Sequence, residues 1–116
     1  MPEGEESRPP IIEPLTGMPD SVPLGSKATV VQFSSAFCQP CRATRRIISQ
    51  VVEEISATGV SVVEIDADEH LDVTRAWGIT STPTVIFLDS AGREVHRGSG
   101  QPRRADVIAG LGRAIA

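Results

Sequence analysis

Two cysteines separated by two residues, in Phe37-Cys38-Gln39-Pro40-Cys41-Arg42, are the only thiols of the 116-residue chain. Thiols at this spacing can exchange a disulfide or supply half of a zinc site. Zinc favours four ligands with paired spacing, and the other candidates, His70 and His96, stand far apart and unpaired, so no metal is expected. Incidental burial of two cysteines is the bland alternative, and the flanking residues argue against it. Ala28–Phe33 (ATVVQF) is β-branched and nearly continuous in apolarity, as a strand buried on both faces would be. Pro40 then falls in the first turn of a helical pattern, where its missing N–H does least harm. The pair thus lies where a strand ends and a helix begins. A helix N-terminus carries unpaired N–H groups and partial positive charge. A thiolate at Cys38 is stabilised there, and its pKa is expected below the roughly 8.5 of a free cysteine. Cys41, one turn further on, is expected to be more buried and more protonated. Cys38 would attack, and Cys41 would resolve the mixed disulfide.

The elements that must hold this pair follow from periodicity. Between Cys38 and Ala57, Ile47, Ile48, Val51, Val52 and Ile55 share a helical face, and Gly59 is placed to stop the helix. Val60–Asp66 reads as a second strand and Leu71–Trp77 as a short helix ended by Gly78. Thr84–Asp89 and Glu94–Gly98 are strands joined by the turn Ser90-Ala91-Gly92-Arg93. Pro102 opens a last helix with Val107, Ile108, Leu111 and Ile115 facing inward, weakened by Gly110 and Gly112. Ile11–Leu15 suits an edge strand, Thr16–Lys27 a loop, and residues 1–10, with three Pro and three Glu, a disordered leader. The first βαβ crossover implies a parallel pair and the late hairpin an antiparallel one. The expected fold is α/β, one mixed central sheet with helices on both faces, over residues 11–116.

Composition narrows the function. At −4, the net charge gives little reason to bind phosphate backbones or anionic lipid. Aromatics make up 3% of the chain, too few to stack single-stranded nucleic acid. No apolar run approaches the roughly 18 residues of a membrane span, and the N-terminus does not read as a signal peptide. The acidic run Asp66, Asp68, Glu69 and Asp72 lacks the glycine and final glutamate of a calcium loop and reads as a solvated turn. No cofactor is expected.

From Ile11 to the C-terminus the chain resembles the thioredoxin family. Phe37-Cys38-Gln39-Pro40-Cys41-Arg42 is similar to the family's Trp-Cys-Gly-Pro-Cys-Lys/Arg. Val63-Glu64-Ile65-Asp66 is similar to its next strand, Gly78-Ile79-Thr80-Ser81-Thr82-Pro83-Thr84 to its Gly-to-cis-Pro loop, and Gly92 and Gly100 to two late glycines. The resemblance implies the three-layer thioredoxin-like fold and a Cys38/Cys41 dithiol that reduces protein disulfides. It implies a cis Pro83 packed near the cysteines, a Thr82 backbone able to pair with an extended substrate, and a shallow apolar groove around Cys38 lined by Phe37, Gly78, Thr82 and Gly100, with Gln39, Pro40 and Pro83 also binding substrate. The implied partners are disulfide-containing proteins and a thioredoxin reductase or other thiol donor. A cytoplasmic monomer is expected, with a soluble domain of an anchored or exported protein as the alternative. An extracytoplasmic oxidant or isomerase and a non-catalytic binding module are the alternative functions.

Three departures matter. The family's buried Asp six positions before the first cysteine is Gln32 here, which cannot act as a base, and its Lys on the next strand is Val62. Losing both together avoids an unpaired buried charge, and leaves Cys41 to be activated by water or substrate, resolving more slowly. Phe37 and Ser34 stand where the family has tryptophans, so the sole indole, Trp77, is expected to pack near the groove. Thr82 replaces the usual Ile, which bears on the direction of electron flow. Of the cluster Arg42, Arg45 and Arg46, Arg42 is the candidate for tuning Cys38; the rest reads as a solvated face, and both histidines as surface residues.

Overall fold

The first described strand is the most buried element among the described residues. In the computed structural model, which describes residues 24–55 and 58–116, all seven residues of β1 (Ala28–Ser34) are buried. Residues 1–10, the strand expected at Ile11–Leu15 and most of the following loop lie outside the described residues. Burial on both faces is what the continuous β-branched run of β1 requires. It pairs parallel with β2 (Val60–Asp66) and antiparallel with β3 (Thr84–Asp89), and β3 pairs antiparallel with β4 (Glu94–Ser99), in the order β2-β1-β3-β4.

The parallel pair needs a crossover, and α1 (Gln39–Glu54) supplies it. Two further helices follow, α2 (Leu71–Ala76) and α3 (Arg104–Ile115). Side chains alternate across the sheet. Val31, Phe33, Ile65, Ile86 and Leu88 form one core with Trp77, with Val73 of α2 packed against it. Ala28, Val30, Val85 and Phe87 form the other with Ile48 and Val51 of α1 and Val107, Leu111 and Ala114 of α3. Helices therefore cover both faces of a mixed sheet, each fully buried aliphatic contributing about 1.5–3 kcal/mol.

Several boundaries and faces differ from expectation. Cys38 is the cap of α1 rather than its first residue, and Ile55 is its exposed C-cap. Trp77 caps α2, and α3 begins at Arg104, two residues after Pro102, with the Asp106 carboxylate accepting from the Arg103 N–H at 3.0 Å. On α3, Ile108 and Ile115 face solvent, and the buried positions are Val107, Gly110, Leu111 and Ala114. The inward face is therefore rotated about the helix axis, with Gly110 and Ala114 in place of the two isoleucines. Gly110 does more than weaken the helix: a Cβ there would lie 2.6 Å from the Phe87 ring, so its absence sets how closely α3 approaches β3. The hairpin turn is held by Asp89, whose Oδ1 accepts from the N–H groups of Ala91 and Arg93.

Candidate functional site

β1 ends at Ser34, and four residues later the chain enters α1, so the cysteine pair falls at a strand-to-helix junction. Cys38 and Cys41 are joined as a disulfide with their Cα atoms 5.2 Å apart. The two sulfurs differ in surroundings. Cys38 is half-buried and extended at the N-cap, and its Sγ accepts the Cys41 N–H at 3.1 Å. Cys41 is buried, with 2% of its surface exposed. A sulfur at the cap with an N–H aimed at it is placed to carry negative charge, and the inner sulfur is not. Thr44 steadies this first turn by donating to the Pro40 carbonyl at 2.7 Å.

Beneath the pair the sheet turns polar. Gln32 is buried and its Nε2 donates to the Cys41 carbonyl at 2.8 Å. Ser34 donates to Glu64 at 2.6 Å, and Arg45 grips both oxygens of the same carboxylate at 2.6 Å each. The Arg45 guanidinium, through these bonds, holds the Glu64 carboxyl below the usual carboxylate range; partial burial opposes it, and the Ser34 hydroxyl assists. The register sets Glu64, not Val62, opposite Gln32, and Val62 is largely exposed. The ground beside Gln32 is thus not stripped of charge: a Glu64–Arg45 pair stands there, with the Arg45 side chain half exposed on the solvated face of α1.

The loop before β3 is tied to the segment that leads from β1 to the pair. The Thr82–Pro83 bond is cis, and Pro83 is buried. Ser35, three residues before Cys38, shares a hydrogen bond of 3.0 Å between its hydroxyl and that of Thr82. Gly100, at φ 83°, donates its N–H to the Pro83 carbonyl at 2.8 Å. Ser35, Thr82, Pro83 and Gly100 are thereby brought together. Gln39, Pro40 and Arg42 are exposed on the first turn of α1. Phe37 is 100% exposed, so among the described residues no side chain covers it in this state. An open cleft of about 340 Å³ does adjoin Thr82, but it runs toward α2 and is lined with hydroxyls from Ser35, Thr74, Thr80, Ser81 and Thr82 beside Leu71 and Ile79. Trp77 packs in the core, its ring edge-on to Phe33 at 5.1 Å, rather than lining that cleft. The histidines are half-buried: His70 caps α2 and the His96 ring lies 5.7 Å from Phe87. The acidic run forms a turn, with the Asp66 carboxylate accepting the N–H groups of Asp68 and Glu69.

The Ser34–Glu64–Arg45 network and the Ser35–Thr82 bond were not read from the sequence. Strand parity offered a signal for the first, since Glu64 shares a sheet face with Gln32 and Ser34, and Arg45 lies one turn beyond Cys41.

Known proteins are similar to this chain in sequence and in fold. Residues 20–112 match the family described as Thioredoxin. Thioredoxin of Alicyclobacillus acidocaldarius is 36% identical over 91 residues, covering 72% of this chain and 85% of the relative. Thioredoxin of Mycoplasma pneumoniae is 29% identical over 79 residues, covering 68% and 74%. Among solved structures, Fasciola hepatica thioredoxin superimposes with a TM-score of 0.65 at 26% identity, covering 78% of this chain and 83% of the other. A mutant thioredoxin from Halobacterium salinarum reaches 0.68 at 20% identity, covering 78% and 77%, a likeness of fold. No helix among the described residues is long and apolar enough to cross a membrane. A family match running from before β1 into α3, relatives covering most of both chains and a disulfide at the strand-to-helix junction lead to one conclusion: this chain belongs to the thioredoxin family.

Proposed function

We propose that Cys38 is the attacking thiol and Cys41 the resolving thiol of a Cys-Gln-Pro-Cys centre that reduces disulfides in protein substrates. The wider class is settled: a thioredoxin-family chain with this cysteine pair is a thiol–disulfide oxidoreductase. The observation that supports the assignment of roles is the asymmetry at the cap, a half-buried Cys38 Sγ facing an N–H beside a buried Cys41. In the reduced protein the Cys38 thiolate attacks a substrate sulfur. The substrate S–S bond breaks, one substrate sulfur leaves and takes a proton, and a mixed disulfide remains on Cys38. Cys41 gives up its proton and attacks Cys38 Sγ, the second substrate thiol departs, and the Cys38–Cys41 disulfide is left. Two electrons from a donor dithiol, such as a thioredoxin reductase, restore the pair.

Recognition belongs to the exposed ring of residues around Cys38. An extended substrate strand would pair with the Thr82 backbone before Pro83, flanked by Gly100, Gln39 and Pro40, while Phe37 offers a free aromatic surface to it. Arg42 adds positive charge on the first turn. The protein would act as a monomer in the reducing environment of the cytoplasm.

Two measurements test this reading. Cys41→Ser is expected to accumulate mixed disulfides with substrates, and Cys38→Ser neither to turn over nor to trap. Retained function in Cys38→Ser would instead mark a binding module. Equilibration in glutathione buffers gives the direction of electron flow: a potential of about −270 mV, typical of thioredoxin, marks a reductase, and one of about −120 mV an oxidant.

A further inference from the structure

We propose that Gln32 is a neutral positioning residue for the resolving cysteine: its amide pins the Cys41 peptide to the sheet and leaves the Cys41 thiol without a buried proton acceptor among the described residues, so the proton of the resolving step leaves to solvent. The inference rests on the dithiol reading above and concerns only its second half.

Gln32 is 1% exposed, yet its amide reaches across to another element to donate to the Cys41 carbonyl at 2.8 Å. A first-turn carbonyl already accepts the N–H four residues on, and its second lone pair is free for a side chain. The bond therefore adds to the helix ladder without competing with it. It fixes the residue whose sulfur must reach Cys38 Sγ, and it acts through the peptide rather than the sulfur.

An amide also neither takes nor gives a proton in the neutral range, so the surrounding groups decide where the thiol proton goes. On α1, Arg42 and Arg45 are cations. On β2, Glu64 has its oxygens engaged by Arg45 and Ser34 and is held low, which makes it a poor acceptor. Asp66 takes the backbone N–H groups of its own turn, and Asp68 lies in that turn. The segment Ile79–Thr84 contributes no titratable side chain. The charged contact between α3 and α1 is Arg104 on Glu54, at the other end of the helix. Among the described residues, none of these groups is a free base at Cys41. In the mixed disulfide the Cys41 thiol passes its proton to water or hydroxide, its electron pair attacks Cys38 Sγ, the bond from Cys38 to the substrate sulfur breaks, and that sulfur leaves as a thiolate that is protonated by water.

The test is single-turnover release of the second substrate thiol as a function of pH, in the wild type, Gln32→Glu and Gln32→Leu. The wild-type rate is expected to rise about tenfold per pH unit with one ionisation, that of the thiol. Gln32→Glu is isosteric: protonated, it can keep the bond to the Cys41 carbonyl; ionised, it sets an acceptor against an acceptor and supplies a base, so a second ionisation is expected. Gln32→Leu is expected to resolve about fivefold more slowly with an unchanged profile, the effect of one lost hydrogen bond, while attack by Cys38 keeps its rate. A wild-type profile with a second ionisation below that of the thiol, a Gln32→Glu profile that superimposes on the wild type, or wild-type resolution in Gln32→Leu would each overturn the proposal. The wild-type profile decides alone if the variants do not fold. Failure of the dithiol reading is distinct, because no mixed disulfide would then form on Cys38.

Discussion

The sheet face beneath α1 has two halves. At one end Ala28 and Val30 meet Ile48 and Val51 of α1 and the apolar side of α3. At the other, two and four residues further along the same strand, Gln32 and Ser34 meet the Cys41 carbonyl and the Glu64–Arg45 pair. Both halves hold the same helix. The apolar half does so by close packing, which is strong and indifferent to direction. The polar half does so by hydrogen bonds, individually weak but fixed in geometry. The division matches the needs of a dithiol: one end of α1 has to be anchored, and the other has to be aimed.

The largest expected effect breaks the apolar half. Ile48 is completely buried against β1 and α3, and Ile48→Ala is expected to lower unfolding stability by about 3–4 kcal/mol through lost burial and a residual cavity. Denaturant melts would measure it. Below the transition, disulfide reduction per folded molecule should stay near wild type. A selective loss of activity in a stable Ile48→Ala protein would show that the halves are not separate.

A smaller effect comes from the same substitution at two glycines of α3. Gly110→Ala places a Cβ against the Phe87 ring and is expected to destabilise by about 1–2 kcal/mol, since overpacking outweighs the gain in helix propensity. Gly112 meets nothing within 4 Å, and Gly112→Ala should stabilise by about 0.5–1 kcal/mol. Thermal melts of the two variants should move in opposite directions. Shifts of the same sign would mean that the close approach of α3 to β3 is not what Gly110 is for.

The two halves were unequally legible in the sequence. The apolar half follows from pattern: the β-branched run of β1, the stripe through Ile48 and Val51, and the apolar run of β3 each declare a buried face. Errors arose where burial depends on distance between elements rather than on period. Ile108 and Ile115 fit an apolar stripe, but α3 lies so close over Gly110 that small residues occupy the contact and both isoleucines are turned out. In the polar half, Cys38 and Cys41 stood out because two lone thiols at this spacing are rare, and Pro83 stood out through the resemblance of its loop to the family's. Ser34, Arg45 and Glu64 did not, since each alone is an ordinary surface residue, and only the register of β1 on β2 brings the three together. Gln32 was visible as a departure from a pattern, while its bond to Cys41 depends on the helix lying over it.

The smallest effect probes the electrostatic edge of the polar half. Glu64→Gln keeps the shape of the side chain but removes the charge that Arg45 grips. The pair is roughly one-third exposed on the Glu64 side and half exposed on the Arg45 side, so solvent screening limits its worth to about 0.5–1 kcal/mol at neutral pH. Its pH dependence has a definite sign. Because the carboxyl is held below its ordinary value in the folded protein, its stabilisation is complete above the unfolded pKa of about 4.3 and is lost as the pH falls through the lower folded value. The stability gap between wild type and Glu64→Gln should therefore be open at neutral pH and close in acid, and it should shrink with added salt. A gap that persists unchanged into acid would mean that Glu64 contributes through shape and the Ser34 bond alone, which would make the polar half of the face a matter of hydrogen bonding throughout.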